Sequence, residues 1–163
     1  VIQDIQNIAE LISQTTRAEH YAEAFRSRLA SRPKNHDAIP LLVEWWPKPV
    51  IGPGQRSWVN EMLQCAGGYN PFANCPKESV EVTADQALEA GLQGIVMSWC
   101  GVSEDKYRPH IVSRREGWSN VPAVVNHQIY AVSEAWLGRP GPRLLQGIDR
   151  LTSVVNQIKE TTV

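Results

Sequence analysis

Apolar residues recur at three- and four-residue steps through Ile2, Ile5, Ile8 and Ile12, the spacing that lines one face of an α-helix. The stripe lapses over residues 13 to 16 and restarts with Ala18, Ala22, Phe25 and Leu29. Thr16 and Glu19 have the separation of a capping box, so the pattern predicts two helices, the second running to about Ser31. Arg17, Glu19, Glu23, Arg26 and Arg28 give that second helix a mixed-charge face suited to water. Pro33 and Asn35 mark residues 31 to 37 as a short linker.

The period then changes. Residues 39 to 46 are an almost unbroken apolar run, the length of a buried strand, ending in Trp45 and Trp46. Pro47, Pro49, Gly52, Pro53 and Gly54 predict an exposed loop, and Ser57 a cap for a helix whose buried stripe is Val59, Met62, Leu63 and Ala66. Gly67 and Gly68 stop that helix. Residues 69 to 79 are rich in turn formers and predict a surface excursion. Thr83 and Gln86 form a capping box for a short helix ending at Gly91, and residues 94 to 99, GIVMSW, read as a second buried strand. Ser103 is placed to cap a helix that Pro109 must kink or restart. Residues 121 to 125 and 128 to 132 are predicted as short strands on either side of a turn at Asn126-His127. Pro142 suits the first turn of a last helix with the stripe Leu144, Ile148, Leu151, Val155 and Ile158. Strands alternating with helices predict an α/β fold, a three-layer lobe with a mainly parallel sheet flanked by helices.

In open α/β sheets, ligands bind in the loops beyond the carboxyl ends of the strands. That rule singles out residues 44 to 70 and the tryptophans at strand ends. Trp45, Trp46, Trp99 and Trp136 are candidates for a flat binding surface, with core packing as the competing role for each. Successive strand residues face opposite ways, so only one of Trp45 and Trp46 need point to a given side. Trp58 and Trp118 read as core or lid residues. Arg139 and Arg143 flank Pro-Gly-Pro at a second ligand-side loop, where each could contact a ligand or bond the start of the last helix.

The totals narrow the partners. A chain of 163 residues suits one core. A formal net charge of -1 leaves no electrostatic footprint for nucleic acid or an anionic membrane surface. No apolar run reaches the roughly 18 residues of a membrane span, so no membrane insertion is expected. The start, VIQDIQNIAEL, lacks a basic stretch leading an apolar one, so the chain as given carries no signal peptide. Cys65, Cys75 and Cys100 form no C-x-x-C pair; an oxidising compartment would allow a Cys65–Cys75 bridge, and otherwise the thiols are free. His20, His36, His110 and His127 are scattered, so no metal site is predicted. For nucleophilic catalysis the natural pair is Cys100 with His110 or His127, but there is no nucleophile elbow and no phosphate loop.

Taken together, EWWPKP at 44 to 49, the following G-x-G, SWVNEMLQCAGGYN at 57 to 70, SWCG at 98 to 101 and RPGPRLLQGIDRL at 139 to 151 resemble a known family. They resemble the carboxyl-terminal half of the cobalamin and iron-siderophore type periplasmic binding proteins of ABC importers, the cobalamin branch above all. The resemblance implies a two-lobe receptor whose lobes are joined by one long rigid helix, with ligand in the cleft between them. Residues 16 to 32 would be that interlobe helix, residues 1 to 35 a helical amino-terminal segment, and residues 36 to 163 the carboxyl-terminal ligand-binding lobe, with the amino lobe absent. It places Trp45, Trp46 and Ile51 in the first ligand loop and Trp136 and Arg139 in the second, with Ile51 and Ser79 where the family offers aromatics. Asp85 stands where the family's lobe docks on its permease through a carboxylate; an acid at a helix start is also favoured by the helix dipole alone. The implied ligand is cobalamin or an iron-siderophore, carried rather than held as a cofactor. The implied location is periplasmic or extracellular, and the implied partners are an ABC permease and the missing lobe or a second copy.

The leading expectation is therefore a non-catalytic solute-binding lobe for a corrinoid or similar metal chelate. A truncated lobe that self-associates without ligand is the alternative, and a Cys100-dependent enzyme the third.

Overall fold

The computed structural model describes residues 1–30 and 37–161; the predicted linker at 31 to 37 lies almost wholly outside the described residues. Helix α1 (Ile2–Leu11) and helix α2 (Thr15–Ala30) pack side by side, as the lapse in the first stripe requires. The expected capping box is not used. Thr16 lies inside α2, and the carboxylate of Glu19 is taken up by Gln6 at 3.2 Å and by Arg26 at 2.6 Å. The Arg26 contact holds that carboxyl below its usual range.

Four parallel strands make the main sheet in the order β4-β1-β6-β7: β1 (Ile39–Glu44), β4 (Gly68–Tyr69), β6 (Gly94–Met97) and β7 (Ile129–Ala131). Alternation sorts their side chains. Leu41, Val43 and Val96 meet α3 (Val59–Ala66) and α8 (Leu144–Thr161) on one face. Leu42, Ile95 and Met97 meet α4 (Ala84–Glu89), α5 (Pro109–Ser113) and α6 (Pro122–Val125) on the other. That is the predicted three-layer lobe. Each fully buried Leu or Val is worth about 1.5–3 kcal/mol over exposure, so these two rows dominate the stability of the layers.

Local signals set most helix ends, although Trp58 and not Ser57 takes the cap position of α3. Gly67 takes φ 86°, a left-handed conformation that costs glycine nothing, and closes α3. The Ser57 hydroxyl accepts from the Val59 N–H at 3.2 Å at the start of the same helix. Thr83 and Gln86 form both halves of their capping box. In α8, Gly147 allows the helix to lie against Trp136 and Met62; a Cβ there would stand 2.5 Å from the Trp136 carbonyl and 2.6 Å from the Met62 methyl.

Three local expectations change. The first strand stops at Glu44, and residues predicted as an exposed loop fold into a hairpin, β2 (Trp46–Pro47) against β3 (Val50–Pro53). β3 pairs in turn with β5 (Ser79–Glu81), which ties the surface excursion back to the lobe as a small antiparallel sheet. Ser103 precedes only a 3₁₀ turn, Glu104–Lys106, and gives it no side-chain cap; Pro109 starts α5 afresh. Of residues 121 to 125, predicted as a strand, 122 to 125 are helix α6. Valine favours strands locally, but β7 runs parallel to β6, so the chain must cross back over the sheet face, and a helix opened by Pro122 does so with Ala123 and Val124 buried.

α7 (Glu134–Leu137) leads from β7 into the Pro-Gly-Pro loop and α8. Trp58 donates from Nε1 to the Leu137 carbonyl at 2.8 Å, pinning the start of α3 to the end of α7.

Candidate functional site

The carboxyl ends of β1, β6 and β7 deliver Glu44, Trp45, Ser98, Trp99, Cys100 and the α7 segment to one edge of the lobe. Trp46 is the tryptophan that this edge exposes most, at 45%. Its indole is held in place: Nε1 donates to the Lys48 carbonyl at 3.1 Å, and Ile51 sits opposite it across the hairpin. Trp46 and Ile51 thus form one small apolar surface. Trp45 is half-buried beside them, with its N–H bonded to the Ile51 carbonyl at 2.7 Å.

The other predicted residues take different positions. Trp99 is buried, 4% exposed, with Tyr107 tilted against it at 5.3 Å, and it offers no free face to that edge. Trp136 is half-buried, and the Arg150 guanidinium lies 5.0 Å from its ring centre, which gives one face a cation partner. Arg139 projects into water, with its Nε 3.8 Å from a Glu134 carboxylate oxygen. Glu134, Arg139 and Arg143 line an open depression of about 330 Å³ with the Pro-Gly-Pro backbone. Asp85 is exposed in the first turn of α4.

A buried ion pair at this edge had no warning in the periodicity. Glu44 has no exposed surface, and Arg115 Nη2 donates to both its oxygens, at 2.8 and 2.9 Å. Trp99 Nε1 donates to the same carboxylate at 2.9 Å, and the Arg115 guanidinium lies 4.6 Å from the Trp118 ring centre. The signal that could have found it is a carboxylate inside an otherwise apolar run, since a buried acid needs a cation.

The three thiols are free, Cys65 and Cys75 included. Partial burial, and after it the nearby charge of Glu134, push the Cys100 thiol above its ordinary value, the opposite of what an activated nucleophile needs. His127 stands just ahead of β7, at the amino edge of a sheet whose carboxyl edge carries Cys100. Among the described residues no group of three or more His, Cys, Asp or Glu comes together to hold a metal ion. No helix among them is long and apolar enough to cross a membrane.

Two more apolar depressions lie away from the strand ends. One, of about 360 Å³, runs between α1, α2, α3 and α8 past Ile2, Phe25, Trp58 and Cys65. Another, of about 370 Å³, lies over Ile5, Ile8, Ile12 and Tyr21.

A family model described as "Periplasmic binding protein" matches residues 1–135. The vitamin B12-binding protein of Vibrio parahaemolyticus is 24% identical over 97% of this chain and 58% of its own length. An uncharacterized ABC transporter substrate-binding lipoprotein of Bacillus subtilis, YvrC, is 25% identical over 95% of this chain and 49% of its own. The crystal structure of an ABC-type Fe3+-hydroxamate transport system from Saccharomonospora viridis superposes with a TM-score of 0.78 at 22% identity, over 95% of this chain and 55% of that one. The periplasmic vitamin B12 binding protein BtuF of Vibrio cholerae gives 0.75 at 22% identity, over 98% and 61%. The chain spans about half the length of the curated relatives it matches.

Proposed function

The chain belongs to the periplasmic binding protein family, and from that premise we propose that it is the carboxyl-terminal lobe of an ABC-importer solute receptor for a corrinoid or similar metal chelate. The observation that carries this reading is the fixed, exposed indole of Trp46 beside Ile51 at the carboxyl edge of a parallel sheet. A flat, mostly neutral chelate rimmed with hydrogen-bonding groups suits an aromatic surface bordered by Trp45, Trp136 and the outward Arg139. Binding without catalysis fits the raised Cys100 thiol. In this reading residues 1 to 35 are the helical link, residues 36 to 163 the binding lobe, Asp85 a contact for the permease, and the place of action periplasmic or extracellular. Titrating cyanocobalamin against tryptophan emission tests the ligand; unchanged emission at high micromolar ligand would sink the corrinoid assignment.

A second reading rests on a separate observation. α1 and the residue that caps it expose Ile8 at 58%, Leu11 at 85% and Ile12 at 62%, an apolar face whose natural cover is more protein. In the receptor reading an amino-terminal lobe would cover it, and without one a second copy would. Light scattering on residues 1–163 separates the two: a monomer at all concentrations argues against self-association.

A further inference from the structure

Among the described residues, three buried side-chain polar atoms have no hydrogen-bond partner: Trp45 Nε1, Ser98 Oγ and Arg115 Nη1. All three stand at the carboxyl edge of β1 and β6, where an open α/β sheet presents ligands. Two of them share a face. Val43 and Val96 face α8, so by alternation Trp45 and Ser98 do too, whereas Glu44 and Trp99 face the other layer with Arg115. They are also neighbours across the strands: Glu44 is level with Met97, and the Ser98 N–H donates to the Glu44 carbonyl at 2.9 Å.

We infer that Trp45 Nε1–H and the Ser98 hydroxyl form one hydrogen-bonding subsite for an oxygen acceptor of the ligand, a carbonyl or carboxylate on its rim. The inference rests on the receptor reading above and deepens it. Indole N–H can only donate and a hydroxyl can donate, so the pair selects an acceptor. A buried polar group left unpaired costs stability that an arriving acceptor returns. Both atoms are buried, so a guest must open the site to reach them. The Trp45 backbone is pinned on both sides, N–H to the Ile51 carbonyl at 2.7 Å and carbonyl from the Cys100 N–H at 3.1 Å, which leaves rotation of its side chain as the movement the proposed subsite requires.

The test uses two probes on residues 1–163. Acetamide, a small rim-like acceptor, is titrated to molar concentration while the Trp45 indole N–H resonance, assigned by its loss in Trp45→Phe, is followed by NMR. A saturable shift that Ser98→Ala weakens supports the subsite. No shift, or a shift unaltered in Ser98→Ala, overturns it, as does a persistent water contact to that N–H that acetamide does not displace. Cyanocobalamin is the second probe. If it binds, Trp45→Phe and Ser98→Ala are each expected to weaken it by about tenfold, and by less than the product when combined. Binding unchanged in both variants overturns the subsite and leaves the receptor reading standing. A Ser98-dependent acetamide response with no cyanocobalamin binding keeps the subsite and removes the corrinoid.

Discussion

Glu44 and Trp45 are adjacent at the end of β1, and their side chains enter opposite faces of the same sheet. On the Glu44 side the carboxylate is fully answered: Arg115 bonds both its oxygens through Nη2, Trp99 adds a third bond, and Tyr107 and Trp118 close over the group, with Arg115 Nη1 the one atom left over. On the Trp45 side the indole N–H and the Ser98 hydroxyl are buried without partners, and the next residue, Trp46, stands in water. The contrast teaches that one strand end carries two jobs. The clamped carboxylate locks the loop after β6 to the sheet, and the Trp45 face carries the two orphans on which the proposed subsite rests.

Glu44→Ala should test this division most severely. It leaves a buried guanidinium and the Trp99 N–H unanswered, and a loss of about 3–5 kcal/mol in urea unfolding is expected. A loss under about 1 kcal/mol would show that the pair is solvated and the contrast false. Trp99→Phe keeps an aromatic ring but removes one bond to a charged acceptor and part of a buried indole, so at least about 1.5–3 kcal/mol should go by the same measurement. On the other face, Trp46→Ala removes an exposed indole; stability should move by no more than about 0.5 kcal/mol while any cyanocobalamin quench falls away. Ser98→Ala in ligand-free protein should leave stability unchanged or raise it by up to about 1 kcal/mol, since it deletes an unpaired hydroxyl. A destabilisation there would reveal a protein partner for Ser98.

The smallest effect concerns Cys100, at the same edge. Its folded value lies above the ordinary thiol value, so its contribution to stability is fully present below that ordinary value and is lost as pH rises through the folded one. The iodoacetamide rate should therefore rise at higher pH in folded protein than in urea-unfolded protein. Coincident profiles would mean that Glu134 and partial burial do not act on the thiol.

Much of the fold was legible because it is written locally. The stripes of α1, α2, α3 and α8, the Thr83–Gln86 capping box and the Gly67 stop are all settled within a few residues, and so is the apolar run of β1. The misreadings arose where distant chain overrode local preference. The valines of α6 favour a strand until the parallel pairing of β6 with β7 demands a crossover, and Glu19 leaves Thr16 for Gln6 on another helix. Of the candidate site, Trp46 was readable as the end of an apolar run and Ile51, through the resemblance, as part of the loop after it; their pairing across a hairpin was not. Trp99 read as an open question between binding and core, and its partner Glu44 lies 55 positions away.

By itself, then, the sequence determined an α/β lobe with helices on both sides of a parallel sheet. Hydrophobic period and turn chemistry are properties of neighbouring residues and need no tertiary partner to be read. Only the tertiary structure decided which tryptophan is exposed, which carboxylate is clamped and which polar atoms are left unpaired. Those outcomes depend on who sits across the sheet: Arg115 reaches Glu44 over 71 positions, and Ser98 follows the residue level with Glu44 only because β1 and β6 lie side by side.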